Sequence, residues 1–174
     1  MNLETYQRGL QRLITHGYST SDDSAYLQGL VGTSRLAVAK EVVCFWRAYE
    51  LERFCILTAG LLKSMGRFEN DIERFISTEK FSPFIEEAGL QFLRFMASDN
   101  DLTVAALAQT EIAFHDTRTN IDEEKAVDWP CNPEPVLLAI INRNDISPEM
   151  FAISHYRLRV CRALPGGYIC ELAL

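Results

Sequence analysis

The first 120 residues carry apolar side chains spaced three or four apart, which is the period of an amphipathic helix. Helical segments are predicted at residues 2–14, 26–30, 33–54, 59–65, 69–77, 82–96 and 101–118. Among the predicted caps are Asn2 and Thr58, which stand at the starts of two of these segments. The pattern therefore predicts a helical bundle over residues 1–120.

Two of the predicted helices have broad apolar arcs, which are typical of helices at the centre of a bundle. The segment 33–54 places Trp46 on such an arc, and the segment 82–96 places Phe92 on another. Both aromatic side chains are predicted to be buried. Truncating either one to alanine is expected to cost about 3–5 kcal/mol.

The pattern changes after residue 120. Residues 120–125 are predicted to be a polar linker, residues 127–129 a short strand and residues 136–141 a short helix. The segment 156–162 alternates with period two, and a Leu-Pro-Gly-Gly turn at 164–167 leads to a second strand at 168–172. We therefore predict a mainly α fold with a small C-terminal α+β module. In it, the helical bundle is followed by a strand–helix–β-hairpin unit over residues 121–174.

Composition and charge limit the classes of function that are compatible with this chain. The chain has 174 residues, 48% of them hydrophobic, and a formal net charge of -7, values typical of a globular domain. An acidic chain repels nucleic-acid backbones unless its basic residues are segregated, so nucleic-acid binding is disfavoured. Apolar runs of about 18 residues are missing, and the N-terminal segment lacks an apolar signal core. We therefore expect no membrane span and a cytoplasmic location.

The residues that could carry chemistry are scattered. The five cysteines form no Cys-x-x-Cys pair and the three histidines are far apart, so neither a metal site nor a cofactor is predicted. A disulfide between Cys161 and Cys170 across the hairpin is an alternative that a reducing compartment disfavours. Glu111 and His115 have a spacing that can chelate a metal on a helix, but a second pair of ligands is missing. They are interpreted as a polar helix face.

The predicted hairpin concentrates arginine in an otherwise acidic chain. Tyr156, Leu158 and Val160 are expected on one face of the strand, and Arg157 and Arg159 on the other. Two interpretations remain open. The strand is either an edge strand whose charged side chains prevent it from pairing with other chains, or an edge strand that accepts an extended acidic peptide by strand addition. Under the second interpretation, the predicted peptide-binding residues are Tyr156, Arg157, Leu158, Arg159, Val160 and Arg162.

Several segments of the sequence resemble the sequences of one protein family. These are WRAYELERFCILTAGLLKSMGRF at 46–68, SPFIEEAGLQFL at 82–93, LAQTEIAF at 107–114, DWPCNPEPVL at 128–137 and the tail 156–174. They are similar to the helical partner proteins of multinuclear non-haem iron-dependent oxidative enzymes in the biosynthesis of ribosomal peptide natural products. The same family also carries a DNA-binding label.

The resemblance implies an accessory role. Such partners pair with an iron-dependent TIM-barrel oxidase, which holds the iron and modifies a ribosomal precursor peptide. The partner helps to recognise the leader of that precursor, in part through a small C-terminal sheet. We therefore expect a non-catalytic subunit rather than an enzyme. The alternative is a DNA-binding transcriptional regulator, which would need a basic face that the composition disfavours.

Overall fold

A computed structural model describes residues 2–78, Ser82, 84–119 and 124–173. The helices in these ranges are α1 (Leu3–His16), α2 (Ala25–Leu30), α3 (Ser34–Phe54), α4 (Ile56–Ser64), α5 (Phe68–Thr78), α6 (Ile85–Met96), α7 (Leu102–Thr119) and α8 (Pro133–Asn142). The strands are β1 (Glu124–Trp129), β2 (Tyr156–Cys161) and β3 (Tyr168–Leu172). Two short 3-10 helices lie at Pro148–Phe151 and Pro165–Gly167. The predicted fold class is confirmed, including the order strand, helix and hairpin at the C-terminal end.

Of the caps predicted at Asn2 and Thr58, the structure confirms the first. Asn2 caps α1, and its side chain accepts a hydrogen bond from the amide of Thr5 at 2.8 Å. The assignment of Thr58 as a cap is wrong, because α4 begins two residues earlier, at Ile56. Thr58 is fully buried inside that helix.

The chain divides into two compact units. Unit 1 comprises Met1–Glu50 and Glu69–Lys80, and unit 2 comprises Leu51–Phe68 and Phe81–Leu174. The three strands and α8 therefore belong to the same unit as α4, α6 and α7. The predicted boundary at residue 120 lies outside the described residues, and a separate role for residues 121–174 stays a prediction.

Unit 1 has a leucine core and, beside it, an ion pair with a buried carboxylate. The core residues are Leu13, Leu27 and Leu36. Beside them, the buried carboxylate of Asp23 accepts hydrogen bonds from the guanidinium of Arg12 at 2.6 and 2.7 Å and from the amide of Thr20 at 2.7 Å. The Thr20 amide and then Arg12 hold the pKa of Asp23 below its usual range. This network fixes the loop that joins α1 to α2.

The exposed face of α3 corrects the prediction for Trp46. The side chain of Trp46 is 57% exposed, and its ring contacts those of Phe45 and Tyr49, each with a centroid distance of 5.9 Å. The exposed apolar stripe of α3 consists of Val38, Val42, Phe45, Trp46 and Tyr49. A broad apolar arc thus runs round α3, and only part of it is covered.

Unit 2 is built around α7, which packs against α4, α6, β1 and β2. Phe92 of α6 is fully buried, as predicted. Trp129 of β1 is 1% exposed, and its Nε1 donates a hydrogen bond to Thr110 Oγ1 of α7 at 3.0 Å. A Cβ on Gly89 would lie 2.0 Å from the ring of Phe54, so α6 approaches that ring through a glycine. The hydrogen bond between Trp129 and Thr110 joins the sheet to α7.

The sheet is antiparallel throughout, with the strand order β1-β2-β3. Its register places Arg157 opposite both Asp128 and Glu171, and Arg159 opposite Ile169. Among the helices in the described ranges, none is both long and apolar enough to cross a membrane.

Candidate peptide-binding site

The strand that was predicted to be the peptide-binding edge is the central strand of the sheet. β2 pairs with β1 on one side and with β3 on the other. Its backbone N–H and C=O groups are therefore used by its neighbours within the sheet. Neither edge interpretation, guarded or peptide-accepting, is correct for this strand.

The predicted alternation of faces along β2 is confirmed. Leu158 and Val160 are fully buried on the inner face, where β2 packs against α7, and Tyr156 is partly buried on the same face. Arg157 is exposed on the outer face, and Arg159 is partly exposed there. Leu158 and Val160 are thus out of reach of a ligand, whereas the arginines and part of Tyr156 are accessible from solvent.

Arg157 and Arg159 form ion pairs across the outer face of the sheet. Arg157 pairs with Asp128 of β1 at 2.8 Å. Arg159 pairs with Glu124 of β1 at 2.7 Å and with Glu171 of β3 at 3.2 Å. These hydrogen bonds lower the pKa of Asp128 and Glu124 and raise the pKa of both arginines. A carboxylate of a bound peptide would therefore compete with carboxylates that are already in place.

The third arginine of the predicted set lies just beyond β2. Arg162 is exposed, and its Nη1 donates a hydrogen bond to the backbone carbonyl of Arg118 in α7 at 3.2 Å. It does not join the ion pairs of the sheet, because the strand ends at Cys161. The structure thus separates Arg162 from the two arginines with which the sequence groups it.

The outer side of β3 is an open strand edge. Ala173 donates its amide hydrogen to the carbonyl of His155 at 2.8 Å, which extends the β2–β3 register by one pair. In an antiparallel ladder, alternate residues direct their backbone groups to opposite sides. Tyr168, Cys170 and Leu172 therefore direct their N–H and C=O groups away from β2. Within the described ranges, no strand pairs with that side.

A groove of about 350 Å³ runs beside this edge, and we refer to it as the β3 groove. It is lined by Glu134, Gly166, Tyr168, Ile169 and Cys170. Burial, and to a smaller extent the charge of Glu134, raises the pKa of Cys170 to about 11. The pKa of Tyr168 is also raised, mainly by burial and in part by the charge of Glu134. Leu172, at the far end of the strand, is 58% exposed. The β3 groove thus combines an unpaired backbone edge, partly covered apolar side chains and one carboxylate.

A larger cavity of unit 2, of about 800 Å³, has basic and aromatic walls, and we call it the arginine cleft. Its lining residues are Arg53, Phe54, Ile56, Leu57, Leu93, Glu111, Phe114, His115, Thr117, Arg118, Arg162, Gly166 and Gly167. Three arginines stand against one glutamate in this set, a formal excess of two positive charges when His115 is neutral. Gly166 lines both the arginine cleft and the β3 groove.

Glu111 of α7 caps the N-terminus of α4. Its two carboxylate oxygens accept hydrogen bonds from the amides of Leu57 at 3.0 Å and Thr58 at 2.9 Å. Cys55, the N-cap residue of α4, makes no side-chain capping bond of its own. Burial raises the pKa of Glu111, and the two amides oppose that rise. Sequence reasoning missed this cap because it comes from a residue more than 50 positions away in the chain.

The chelating alternative for Glu111 gains no support from its surroundings. Both of its oxygens face the amides of α4, and the ring of His115 lies 5.7 Å from that of Phe54. Among the residues that the structure describes, no three His, Cys, Asp or Glu side chains are grouped so that they could hold a metal ion. The expectations that the chain is not an enzyme and binds no cofactor stay predictions.

The alternative disulfide between Cys161 and Cys170 is wrong. Cys161 pairs with Glu124 on the outer face of the sheet, whereas Cys170 is opposite the buried Leu158 on the inner face. The two side chains therefore point to opposite faces. Both thiols are free.

No protein-family model, no curated protein and no solved structure matches this chain. The resemblance of the sequence to the partner proteins of iron-dependent oxidases therefore stays a prediction.

Proposed function

We propose that this chain is a non-catalytic subunit that binds an extended segment of a ribosomal precursor peptide. It presents the peptide to an iron-dependent TIM-barrel oxidase, which holds the iron and performs the chemistry. The pairing with an oxidase rests on the resemblance of the sequence to known partner proteins. The complex works in the cytoplasm, where the precursor is made.

One observation carries the peptide-binding role, namely the open edge of β3 beside a groove. Tyr168, Cys170 and Leu172 have backbone groups that an added strand would pair. Strand addition gains affinity from main-chain hydrogen bonds and specificity from side chains that enter a neighbouring pocket. The β3 groove is such a pocket, and Glu134 within it favours a peptide residue that donates a hydrogen bond or carries positive charge.

This proposal moves the binding edge from β2, where the sequence placed it, to β3. Arg157 and Arg159 then support the site indirectly, because Arg157 ties β1 to β2 and Arg159 ties both outer strands to β2. Such exposed pairs contribute little stability in general, but they oppose slippage of the strands against each other. Their direct contact with a peptide stays a prediction.

The proposal is tested by removing one outward amide of β3. In Cys170→Pro the ring replaces an N–H that points away from β2, so the ladder inside the sheet keeps its hydrogen bonds. Short peptides encoded beside the gene for this chain are titrated against it by calorimetry. We expect the proline variant to bind the cognate leader about tenfold more weakly, which corresponds to about 1.4 kcal/mol.

Cys170→Ala is the matched control, since it shortens the same side chain and keeps the amide. It alters only the side chain that lines the β3 groove, so its loss of affinity for the leader should be smaller than that of the proline variant. Circular dichroism establishes that both variants are folded. Equal affinity of the two variants for a leader that binds the wild type would remove the β3 edge from the mechanism.

A further inference from the structure

The arginine cleft is a basic cavity in a chain whose formal net charge is -7. Among the described residues that line the cleft, the one acidic side chain is that of Glu111, and it directs both oxygens to amides at the N-terminus of α4. Those amides and the positive end of the helix dipole compensate the charge of this carboxylate. Arg118 and Arg162 therefore bring positive charge to the cleft, which favours an anionic ligand.

Arg118 and Arg162 are the two arginines best placed to bind such a ligand. The hydrogen bond from Arg162 to the carbonyl of Arg118 fixes its guanidinium without neutralising it, because a carbonyl is uncharged. In the part of the chain that the structure describes, no ion pair within 4.0 Å involves the side chain of either arginine. A guanidinium in this situation can bind a carboxylate through two parallel hydrogen bonds.

Apolar walls accompany these charges. Phe54, Leu57 and Phe114 line the same cavity, and Phe114 also makes an edge contact with Tyr168 of β3, with a centroid distance of 6.1 Å. A ligand that combines a carboxylate with an apolar group would use both kinds of wall. This combination matches an acidic residue beside an apolar one in a peptide.

The arginine cleft and the β3 groove meet at the turn of the hairpin. Gly166 lines both cavities, has a φ of 75° and has no side chain to separate them. A peptide that pairs with β3 and continues past Tyr168 therefore reaches the cleft. We propose that the arginine cleft binds a carboxylate of the same peptide, next to the segment that pairs with β3. This inference rests on the proposed function.

The direction of the added strand determines where that carboxylate lies. β3 runs from Tyr168, which is close to the cleft, to Leu172. A strand that adds antiparallel to β3 leaves the sheet at the Tyr168 end with its C-terminal flank. The acidic residue is then C-terminal to the paired segment, and antiparallel pairing is the commoner arrangement.

The test uses a small probe that does not depend on the identity of the precursor. N-acetyl-L-phenylalanine, which has a carboxylate, is titrated into the isotope-labelled chain and followed by NMR, with its neutral amide as the control ligand. We expect the acid, but not the amide, to shift the backbone amides of Gly166 and Gly167 and the Nε–H signals of Arg118 and Arg162. The effect should weaken as salt is added, because the attraction is electrostatic.

The double variant Arg118→Gln, Arg162→Gln should bind the acid about tenfold more weakly. Both side chains are exposed, so the substitutions leave the core intact. Arg94→Gln, at an exposed position of α6 outside the cleft lining, is the matched control and should bind as the wild type does. Equal responses to acid and amide, or full retention of acid binding by the double variant, would overturn the inference.

The cognate leader separates this inference from the proposed function. The proposed function and the inference are both supported if Cys170→Pro weakens binding of the leader but not of the acid, and the double arginine variant weakens binding of the leader and of the acid. If the double variant binds the leader as tightly as the wild type, the cleft has no part in peptide recognition and the inference fails alone. If Cys170→Pro leaves leader affinity unchanged, the proposed function fails, and the inference that rests on it fails as well.

Discussion

Replacing Glu111 tests how α4 is held at its N-terminus. In Glu111→Ala the amides of Leu57 and Thr58 lose both of their acceptors, and α4 has no local side-chain cap to replace them. Losing a helix cap costs about 0.5–2 kcal/mol, and a hydrogen bond to a charged group contributes about 1.5–3 kcal/mol. Removal of a partly buried carboxylate offsets part of this loss. We expect the free energy of unfolding to fall by about 1–3 kcal/mol.

Glu111→Gln separates the charge from the hydrogen bonds, because it keeps one acceptor oxygen. Burial raises the pKa of Glu111 above the ordinary value of 4.5, so between these two pKa values the folded chain binds this proton more tightly than the unfolded chain does. Stability from this group is therefore highest below the unfolded pKa and decreases as pH rises towards the folded pKa. Over that same pH range, the free energy of unfolding of the glutamine variant should rise relative to that of the wild type. Above the folded pKa, the difference between the two should stay constant.

The assay is urea unfolding of the wild type and both variants, followed by circular dichroism at a series of pH values. The alanine variant should be the least stable of the three at neutral pH. A loss below about 0.5 kcal/mol in that variant would show that Glu111 does not hold α4. If the wild type instead becomes more stable than the glutamine variant as pH rises, the hydrogen bonds from the amides outweigh burial and lower the pKa of Glu111.

Four further outcomes are expected. Phe92→Ala should cost about 3–5 kcal/mol, because the side chain is fully buried, whereas Trp46→Ala should change stability by less than about 0.5 kcal/mol in the same unfolding assay. Arg159→Glu should lower the melting temperature more than Arg159→Gln, because it places a third carboxylate between Glu124 and Glu171. Random duplex DNA at low salt should give no mobility shift below micromolar protein, and a salt-sensitive shift would favour the regulator. Elemental analysis after chelator-free purification should find less than one metal ion per chain.

The sequence predicts helices and the hairpin well because their signals are local. The cap of α1 and the alternating faces of β2 depend on neighbouring residues along the chain, and both are confirmed. The burial of Trp46 is a different kind of question. An apolar arc that runs round a helix does not specify which part another element covers, and the covered part of α3 does not include this side chain.

The candidate site depends on contacts that are distant in the sequence. Periodicity specifies the two faces of β2 but not which strands lie beside it, so its central position could not be read from the alternation. The same limit applies to Glu111. Its spacing from His115 predicts a polar helix face, with chelation as the alternative, whereas its actual partners are amides of another helix, which no spacing within α7 could reveal.

The position of each hairpin arginine relative to the strand determines which groups its side chain contacts. Arg157 and Arg159 are two residues apart in a strand with neighbours on both sides, so their side chains share a face and meet carboxylates of those neighbours. Arg162 follows the last residue of the strand, leaves the alternation and contacts α7 instead. Two of the charges are thus used to hold the sheet together. The third lines the arginine cleft, where it is available to an anionic ligand, and this difference is why the proposed carboxylate site is placed there and not on the sheet.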